Sequence, residues 1–591
     1  MLTLVSSARV SRLARAGIDH GGLLCAVALA VYGALATPHI VDGDNAEYSA
    51  LGTIGGAAHP TGYPLYLMWL RAMAWLPGTP AHAASLATAM LAAACVLALH
   101  AACRAWGARP LAATVAVAIF AASPLVMRVS TQAEVFALNN LVVATILWLA
   151  ADGPVRGIWR AGALGLVAGL GLSDHVTCVL VAPVGIVGVV RAVREAEVRW
   201  QAIALAVAGL VLGLTPYVYL AVTAENPMSW GRHLDSFHAV LGHFLRNDYG
   251  GPGAFAPDPQ PIPASQNLLA LAAMLGRTWL WAPLAIGVVA LVDRLRRPHD
   301  GSSRWAWAML AVSFVVAGPL LVSRFDVTHE GPGLYVIQRF FFLPALLLAI
   351  PIAVGIDWLI GTRVLATRPA LGVGLVVGLF VAIAGTSLPY VQGVHSPAVE
   401  QGVRNVLHSL PENSVAVVYE DDLNFGAGYV QLVLHERPDV VVAMSTAVGL
   451  PRNRERLEQR LGIRFPATKV DRLGVGFATD VLASGRALFV DALATDILAA
   501  FPNYPHGALF RVLPRGTPRP PIHDIFTINK ALYEAFALDY AVPRLDADWP
   551  VHVHVRYVQM WQIIGDELAA AGQRDDAAIA YDIGRALAPK P

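Results

Sequence analysis

"VDGDNAEYSALGTIGGAAHPTGYPLYL", residues 41–67, follows directly on a twenty-residue apolar stretch and carries three carboxylates, a histidine and two prolines. An apolar run of that length is what a membrane-crossing helix needs, so the carboxylates fall at the mouth of a membrane. Glu47 follows Asp44 by three residues, which puts both on one face if the chain after Gly43 is helical. Asp42 and Asp44 would serve equally well as caps of a short interfacial helix, and the residues alone leave both readings standing. The continuation "AHPTGYPLYLMWLRAMAWLPG" is a stiff Pro-Gly-Pro turn leading into an aromatic-rich stretch with one arginine. That pattern predicts a segment lying in the headgroup plane and forming one wall of a surface site. His59 precedes Pro60, where the backbone is biased to be extended, and adds a titratable donor.

The composition agrees with a membrane setting. Of 591 residues, 56% are hydrophobic and only 14% charged, against roughly 25% charged in soluble domains. A net charge of +1 gives no reason to expect a nucleic-acid partner. Apolar runs near 21–38, 83–103, 111–127, 134–151, 158–172, 174–190, 201–222, 279–293, 305–323, 340–358 and 370–390 predict about eleven spans. The two short runs around Ser173 also fit a broken or re-entrant pair. Arginine clusters (Arg9, Arg12 and Arg15; Arg104 and Arg109; Arg156 and Arg160; Arg191, Arg194 and Arg199; Arg294, Arg296 and Arg297; Arg363 and Arg368) fall on one side if the spans alternate. By the positive-inside rule that side is cytoplasmic. The expectation is a multi-pass protein of the inner (plasma) membrane, with a cytoplasmic N-terminus and an extracytoplasmic C-terminal domain. Ala34-Leu35-Ala36 resembles a signal-peptidase site, so removal of the first span is the competing reading. Cys25, Cys95, Cys103 and Cys178 all sit in apolar stretches, as small buried hydrophobes do, and no disulfide is expected.

After residue 400 the chain reads as a soluble domain. "SVAVVYEDD", "DVVVAMST" and "ALFVDAL" are strands, with the helical "FGAGYVQLVLHER" between the first two, predicting an α/β domain. The end, "IIGDELAAAGQRDDAAIAYDIGRALAPKP", has the spacing of one tetratricopeptide-like helical hairpin, which caps the domain or contacts a partner. The expected divisions are 1–393 for the membrane domain, 394–550 for the outward α/β domain and 551–591 for the hairpin. "HVHVRY" at 552–557 reads as an alternating strand face rather than a metal site. Glycine-rich runs near 370 read as close helix packing, and neither a P-loop nor a dinucleotide fingerprint is present.

Arg128, Arg232, Arg246, Arg277, Arg324 and Arg339 lie near outward span ends, where the orientation rule does not ask for positive charge. An arginine fork fits a phosphate bidentately, and a side chain snorkelling to lipid headgroups is the competing role for each. Glu134, Asn139 and Asn140 open one span and Asp174-His175 interrupts the short pair. Polar groups there line a site or pack between helices, and Asp174-His175 would alternatively be an ion pair capping a helix end.

The motifs "GDNAEY…HPTGYPLY", "STQAEVFAL", "GLSDHVT", "LTPYVYL", "SWGRHLDSFHAVLGHFLRNDYG" and "QRFFFLPA" resemble, in order, bacterial membrane proteins related to transmembrane protein 260, a protein O-mannosyltransferase. The resemblance covers roughly residues 20–390. It implies a GT-C glycosyltransferase that takes a sugar from a polyprenyl-phosphate carrier, usually with inversion, using an acidic residue of the first outward loop. Asp44 would be the general base, with Glu47 and Asp42 orienting the acceptor or a bound divalent cation. His59, Gly62, Tyr63 and Pro64 keep the family turn, although Thr61 replaces its second proline. Trp230, Arg246, Tyr249 and Arg339 match the pattern, and Arg246 and Arg339 are assigned to the carrier phosphate. Glu134 and His175 join the expected substrate site. The expected partners are a lipid-linked sugar donor, a protein or glycan acceptor and membrane lipid. No cofactor is required beyond that possible cation. A transporter of lipid-linked sugars and an assembly scaffold are the rival readings.

Overall fold

The computed structural model describes residues 20–151, 153, 155–251, 262–297, 304–329, 331–362, 369–466 and 470–591. Arg9, Arg12, Arg15, Arg363 and Arg368 lie outside the described residues. Helices Pro80–Ala105, Val176–Glu195, Arg199–Thr223, Gly333–Ile360 and Val377–Ser409 are long and apolar enough to cross a bilayer. Two bent pairs join them: Pro110–Ala122 with Pro124–Ser130 at 70°, and Ala264–Trp279 with Trp281–Arg296 at 103°. Four shorter apolar helices, His20–Leu35, Phe136–Ala150, Gly157–Leu172 and Arg304–Leu320, fall at other runs of the sequence. The chain is therefore a polytopic helical membrane protein.

Two expected straight spans are broken. The run at 111–127 bends at Ser123 because Pro124 lacks an N–H and biases the residue before it away from helix. The run at 279–293 follows a break at Leu280, which sits at φ 57°. Close helix packing is also found elsewhere than expected. A Cβ on Gly165 would lie 1.9 Å from the Ala206 carbonyl oxygen and one on Gly213 2.5 Å from that of Leu166, so helices Gly157–Leu172 and Arg199–Gly213 touch backbone to backbone. Gly374 and Gly378, by contrast, have nothing within 4 Å.

The C-terminal part is built on a five-stranded sheet, β1 Val415–Val418, β2 Val441–Met444, β3 Leu488–Val490, β4 Asn503–His506 and β5 Leu509–Val512, in the order β2-β1-β3-β5-β4. β1 pairs in parallel with β2 (Val415 opposite Val441) and with β3 (Val415 opposite Leu488), while β5 runs antiparallel to β3 and β4. All four residues of β1 are buried, as a central parallel strand requires. "HVHVRY" is not a strand face. It lies in helix Trp549–Ala570, where residues two apart point in nearly opposite directions: His552 Nε2 reaches Glu420 at 2.5 Å and His554 Nδ1 the Leu587 carbonyl at 2.7 Å.

Helices Trp549–Ala570 and Arg574–Leu587 pack against each other, and their buried face belongs to the core of the sheet: Val553, Tyr557, Trp561 and Ala580 share one cluster with Ala416, Val418 and Phe489. That cluster also takes in Ile40, Ala46, Ala50 and Ala81. The apolar contacts thus run without interruption from the hairpin through the sheet into the first loop of the membrane part.

Candidate active site

Residues Gly43–Ile54 are helical, so Asp44 and Glu47 do share a face, but they do different things. Asp42, in extended conformation at φ −160°, is the N-cap and accepts from the Asn45 amide at 2.7 Å. Gln132 Nε2 at 3.1 Å and the Tyr335 hydroxyl at 2.9 Å complete its shell, and it is fully buried. Capping therefore describes Asp42 and not Asp44. Glu47, also fully buried, accepts from the His59 amide at 2.9 Å and meets His59 Nδ1 at 2.5 Å. Asp44 instead reaches the cavity described below and ion-pairs with Arg339.

The electrostatics follow from these partners. Burial alone would push His59 down, but Glu47 and Asp44 outweigh it and raise the ring to about 9, so it is an imidazolium at neutral pH. Burial would push Asp44 up, yet the Arg339 guanidinium and the His59 charge hold it below the ordinary aspartate value. Asp44 is accordingly ionised at neutral pH.

A cavity of about 800 Å³ opens beside this helix. Asp44, His59, Tyr63, His175, Trp230, Arg246, Tyr249 and Arg339 all line it, although they come from five separate segments. His59 Nε2 meets the Tyr63 hydroxyl at 3.1 Å, and the Tyr63 ring stacks on His175 with centroids 5.7 Å apart. Trp230 donates from its indole to Asp248 at 2.9 Å, which fixes its ring beside His59.

Three expected site residues, Asp42, Glu47 and Glu134, do not line the cavity. Their oxygens face hydrogen-bond donors inside the protein, which makes them supports. Glu134 accepts from the Val135 amide at 3.1 Å and lies 3.0 Å from the Tyr335 hydroxyl, which also contacts Asp42. One hydroxyl hydrogen cannot serve two acceptors, so a proton on Glu134 completes the set.

The expected arginines separate in the same way. Arg128 is buried, pinned to Asp548 and 2.8 Å from the Tyr390 hydroxyl, and Arg232 is paired with Asp248, so neither is available to a phosphate. Arg277 and Arg324 are exposed away from the cavity. Arg246 is different. It holds a left-handed backbone at φ 58°, faces the Tyr249 ring at 5.3 Å, and forms no ion pair among the described residues. The buried Nε atoms of Arg246 and Arg339 both lack a hydrogen-bond partner. Asp174 and His175 form no ion pair either: His175 Nδ1 accepts from the Thr177 amide at 3.2 Å, and both Asp174 oxygens are unpartnered.

Several lining residues escape a sequence reading. Phe136, Phe325 and Phe340 form an apolar wall, and Asp421 and Phe425 enter from the helix that follows β1. The only signal for Asp421 is the acidic run "EDD" at the end of a strand. Among the described residues no three His, Cys, Asp or Glu side chains are arranged to hold a metal ion. The donor set does not fit the expected divalent cation, since Asp42 and Glu47 are fully hydrogen-bonded and Asp44 is held by Arg339.

Comparison with known proteins bears on this geometry. Residues 44–199 match the family model for the Protein O-mannosyl-transferase TMEM260 N-terminal domain. The fold resembles that of ArnT from Cupriavidus metallidurans, solved bound to undecaprenyl phosphate, with a TM-score of 0.50 at 14% identity over 84% of this chain and 99% of that one. Its apo state gives 0.51 at 13% identity over 84% and 98%. Residues 44–199 are TMEM260-like, and the fold is like that of ArnT. Protein O-mannosyl-transferase tmem260 of Dictyostelium discoideum is 21% identical over 454 residues, 69% of this chain and 55% of that protein. TMEM260 of Mus musculus is 25% identical over 482 residues, 77% of this chain and 67% of that one. This chain thus spans about half the length of the first relative and two thirds of the second. The matched segment contains Asp44, His59, Tyr63 and His175, whereas Trp230, Arg246, Tyr249, Arg339 and Asp421 lie beyond it.

Proposed function

We propose that this protein is a membrane glycosyltransferase that moves a sugar, mannose by analogy with its named relatives, from a polyprenyl-phosphate carrier to an acceptor hydroxyl. The reaction takes place at the outer face of the plasma membrane and inverts the anomeric centre. One observation carries the reading: an ionised carboxylate, Asp44, shares a cavity with two arginines, Arg246 and Arg339, whose buried Nε donors are unused. Such donors suit a lipid phosphate, and the ArnT structure with undecaprenyl phosphate supports that class of donor. The relatives' names support a protein acceptor.

In this mechanism the acceptor oxygen attacks the anomeric carbon from the face opposite the phosphate. The bond from that carbon to the phosphate oxygen breaks, its electron pair leaves on the carrier phosphate, and Asp44 takes the hydroxyl proton. Arg246 and Arg339 offset the charge that develops on the leaving phosphate. The Asp44–Arg339 pair couples the two tasks: a phosphate that draws on Arg339 loosens its hold on Asp44 and raises the proton affinity of the base when it is needed. His59, charged and braced by Glu47, adds a fixed positive field beside the reacting atoms. No step is drawn through a metal. A transporter would want its polar groups at mid-membrane, whereas this carboxylate sits on a loop helix packed against the α/β domain. The arginine-rich loops on the other side support an outward-facing cavity.

The test is sugar transfer by purified protein from a panel of radiolabelled polyprenyl-phosphate sugars, comparing wild type with Asp44→Asn. Transfer by wild type that collapses in the inserted, folded variant is the expected result. Equal transfer by both would remove Asp44 from the chemistry, and no transfer from any donor would overturn the reading.

A further inference from the structure

Among the described residues, Asp421 is the one carboxylate on the cavity wall with no hydrogen-bond or ion-pair partner. Asp44 is held by Arg339, and Asp248 by Arg232 and Trp230. Asp421 makes no hydrogen bond or ion pair among the described residues. Its neighbours in the chain show what a structural acid looks like there: Glu420 and Asp422 are both bound by Arg556, Asp422 through two contacts of 2.7 Å.

The position of Asp421 is fixed from two directions. It opens helix Asp421–Leu432 immediately past the carboxyl end of β1, and the sheet reverses direction beside β1: the chain leaves β1 toward β2 on one side, and leaves its other neighbour β3 toward β4 and β5 on the opposite side. The crevice outside the carboxyl ends of the strands at such a reversal is where open α/β sheets take their ligands. Here that crevice is the membrane cavity itself, because the helix start presses on the start of helix Gly43–Ile54. A Cβ on Gly43 would lie 2.6 Å from Asp421 Cβ, a space only glycine leaves open. A second, smaller cavity of about 200 Å³, between the 227–231 loop and the α/β domain, shares Trp230 and Phe425 with the first, so these two rings border both cavities.

We propose that Asp421 accepts a hydrogen bond from the acceptor substrate, so that the α/β domain supplies the acceptor half of a two-domain site. The donor phosphate lies against Arg246 and Arg339 on the membrane side, and a hydroxyl-bearing polypeptide segment enters past Trp230 and Phe425. This rests on the glycosyltransferase reading above. It gives the C-terminal domain a part in choosing the acceptor.

The test uses the full-length protein in detergent with polyprenyl-phosphate mannose as donor and a mixture of serine- and threonine-containing peptides as acceptor. It compares wild type with Asp421→Asn, which keeps the shape of the side chain, and measures polyprenyl-phosphate affinity alongside. The expected result is a roughly ten- to hundredfold loss of kcat/KM for the peptide, expressed mainly in its KM, with carrier affinity within about twofold of wild type. Unchanged peptide kinetics in the variant would overturn this assignment alone. A variant that loses carrier affinity in step with peptide transfer would overturn it too, placing Asp421 on the donor side or in the fold. Failure of wild type to transfer from this donor would overturn the assignment together with the reading it rests on.

Discussion

Two clusters of charge stand a few residues apart around the start of helix Asp421–Leu432, and they are built from the same side-chain types to opposite effect. In one, Arg556 binds Glu420 and Asp422, His552 closes on Glu420, and the surrounding core is apolar. Nearly every valence is matched, and nothing is left for a ligand. In the other, Asp44, His59, Arg246, Arg339 and Asp421 surround about 800 Å³ of space, with Arg246 and Asp421 in no ion pair and two guanidinium Nε atoms unsatisfied among the described residues. The difference teaches that a functional site here is recognised by what its charges lack. The expected site residues Asp42 and Glu47 are as well satisfied as Asp422, and they support rather than react.

The comparison breaks first at Asp44. Asp44→Asn is expected to lower sugar transfer by about 100- to 10,000-fold, the range for loss of a positioned general base, in a variant that still folds and inserts. A large loss of stability with little loss of transfer would reverse the roles of the two clusters. Arg556→Met should do the converse. Leaving Glu420 and Asp422 buried without their cation costs about 3–5 kcal/mol of stability, read by thermal or denaturant unfolding in detergent. A variant as stable as wild type would show that this cluster does not hold the α/β domain together.

The His59–Glu47 pair sharpens the contrast through pH. Its ring titrates near 9 in the folded protein and near 6.5 unfolded, so its contribution is fully present below about 6.5 and lost as pH rises through about 9. Unfolding followed between pH 7 and 10 should show a decline on the order of 2 kcal/mol that His59→Gln abolishes. The smallest effect is expected at Arg519–Glu567, a half-exposed surface pair: Arg519→Ala should change stability by less than about 0.5 kcal/mol.

Much of this arrangement was legible in the sequence where local pattern carries the information. The apolar runs and the strands "VAVV", "VVAM" and "LFV" follow from periodicity and composition. Of the eleven residues expected at the site, from the first loop and from later segments, eight line one cavity. What local pattern could not supply was partnership across long separations. Nothing near Arg128 announces that Asp548 will neutralise it, and nothing near Asp44 announces Asp421. The β4–β5 hairpin went unread because Pro505 argues against a strand, although Gly507 at φ 62° marks its turn. "HVHVRY" misled because two β-branched alternations look alike in a strand and at the start of a buried helix, and only the core behind Val553 and Tyr557 decides between them.

The central claim is that the cavity's two arginines, Arg246 and the Arg339 that pairs with Asp44, hold a lipid phosphate. The direct measurement is binding of polyprenyl phosphate to purified wild type and to Arg246→Gln, a change that removes an unpaired charge and leaves no buried partner behind. The account predicts saturable binding by wild type, weakened roughly tenfold or more in the variant, with stability unchanged. Equal affinity in the two proteins, or no binding by either, would contradict it.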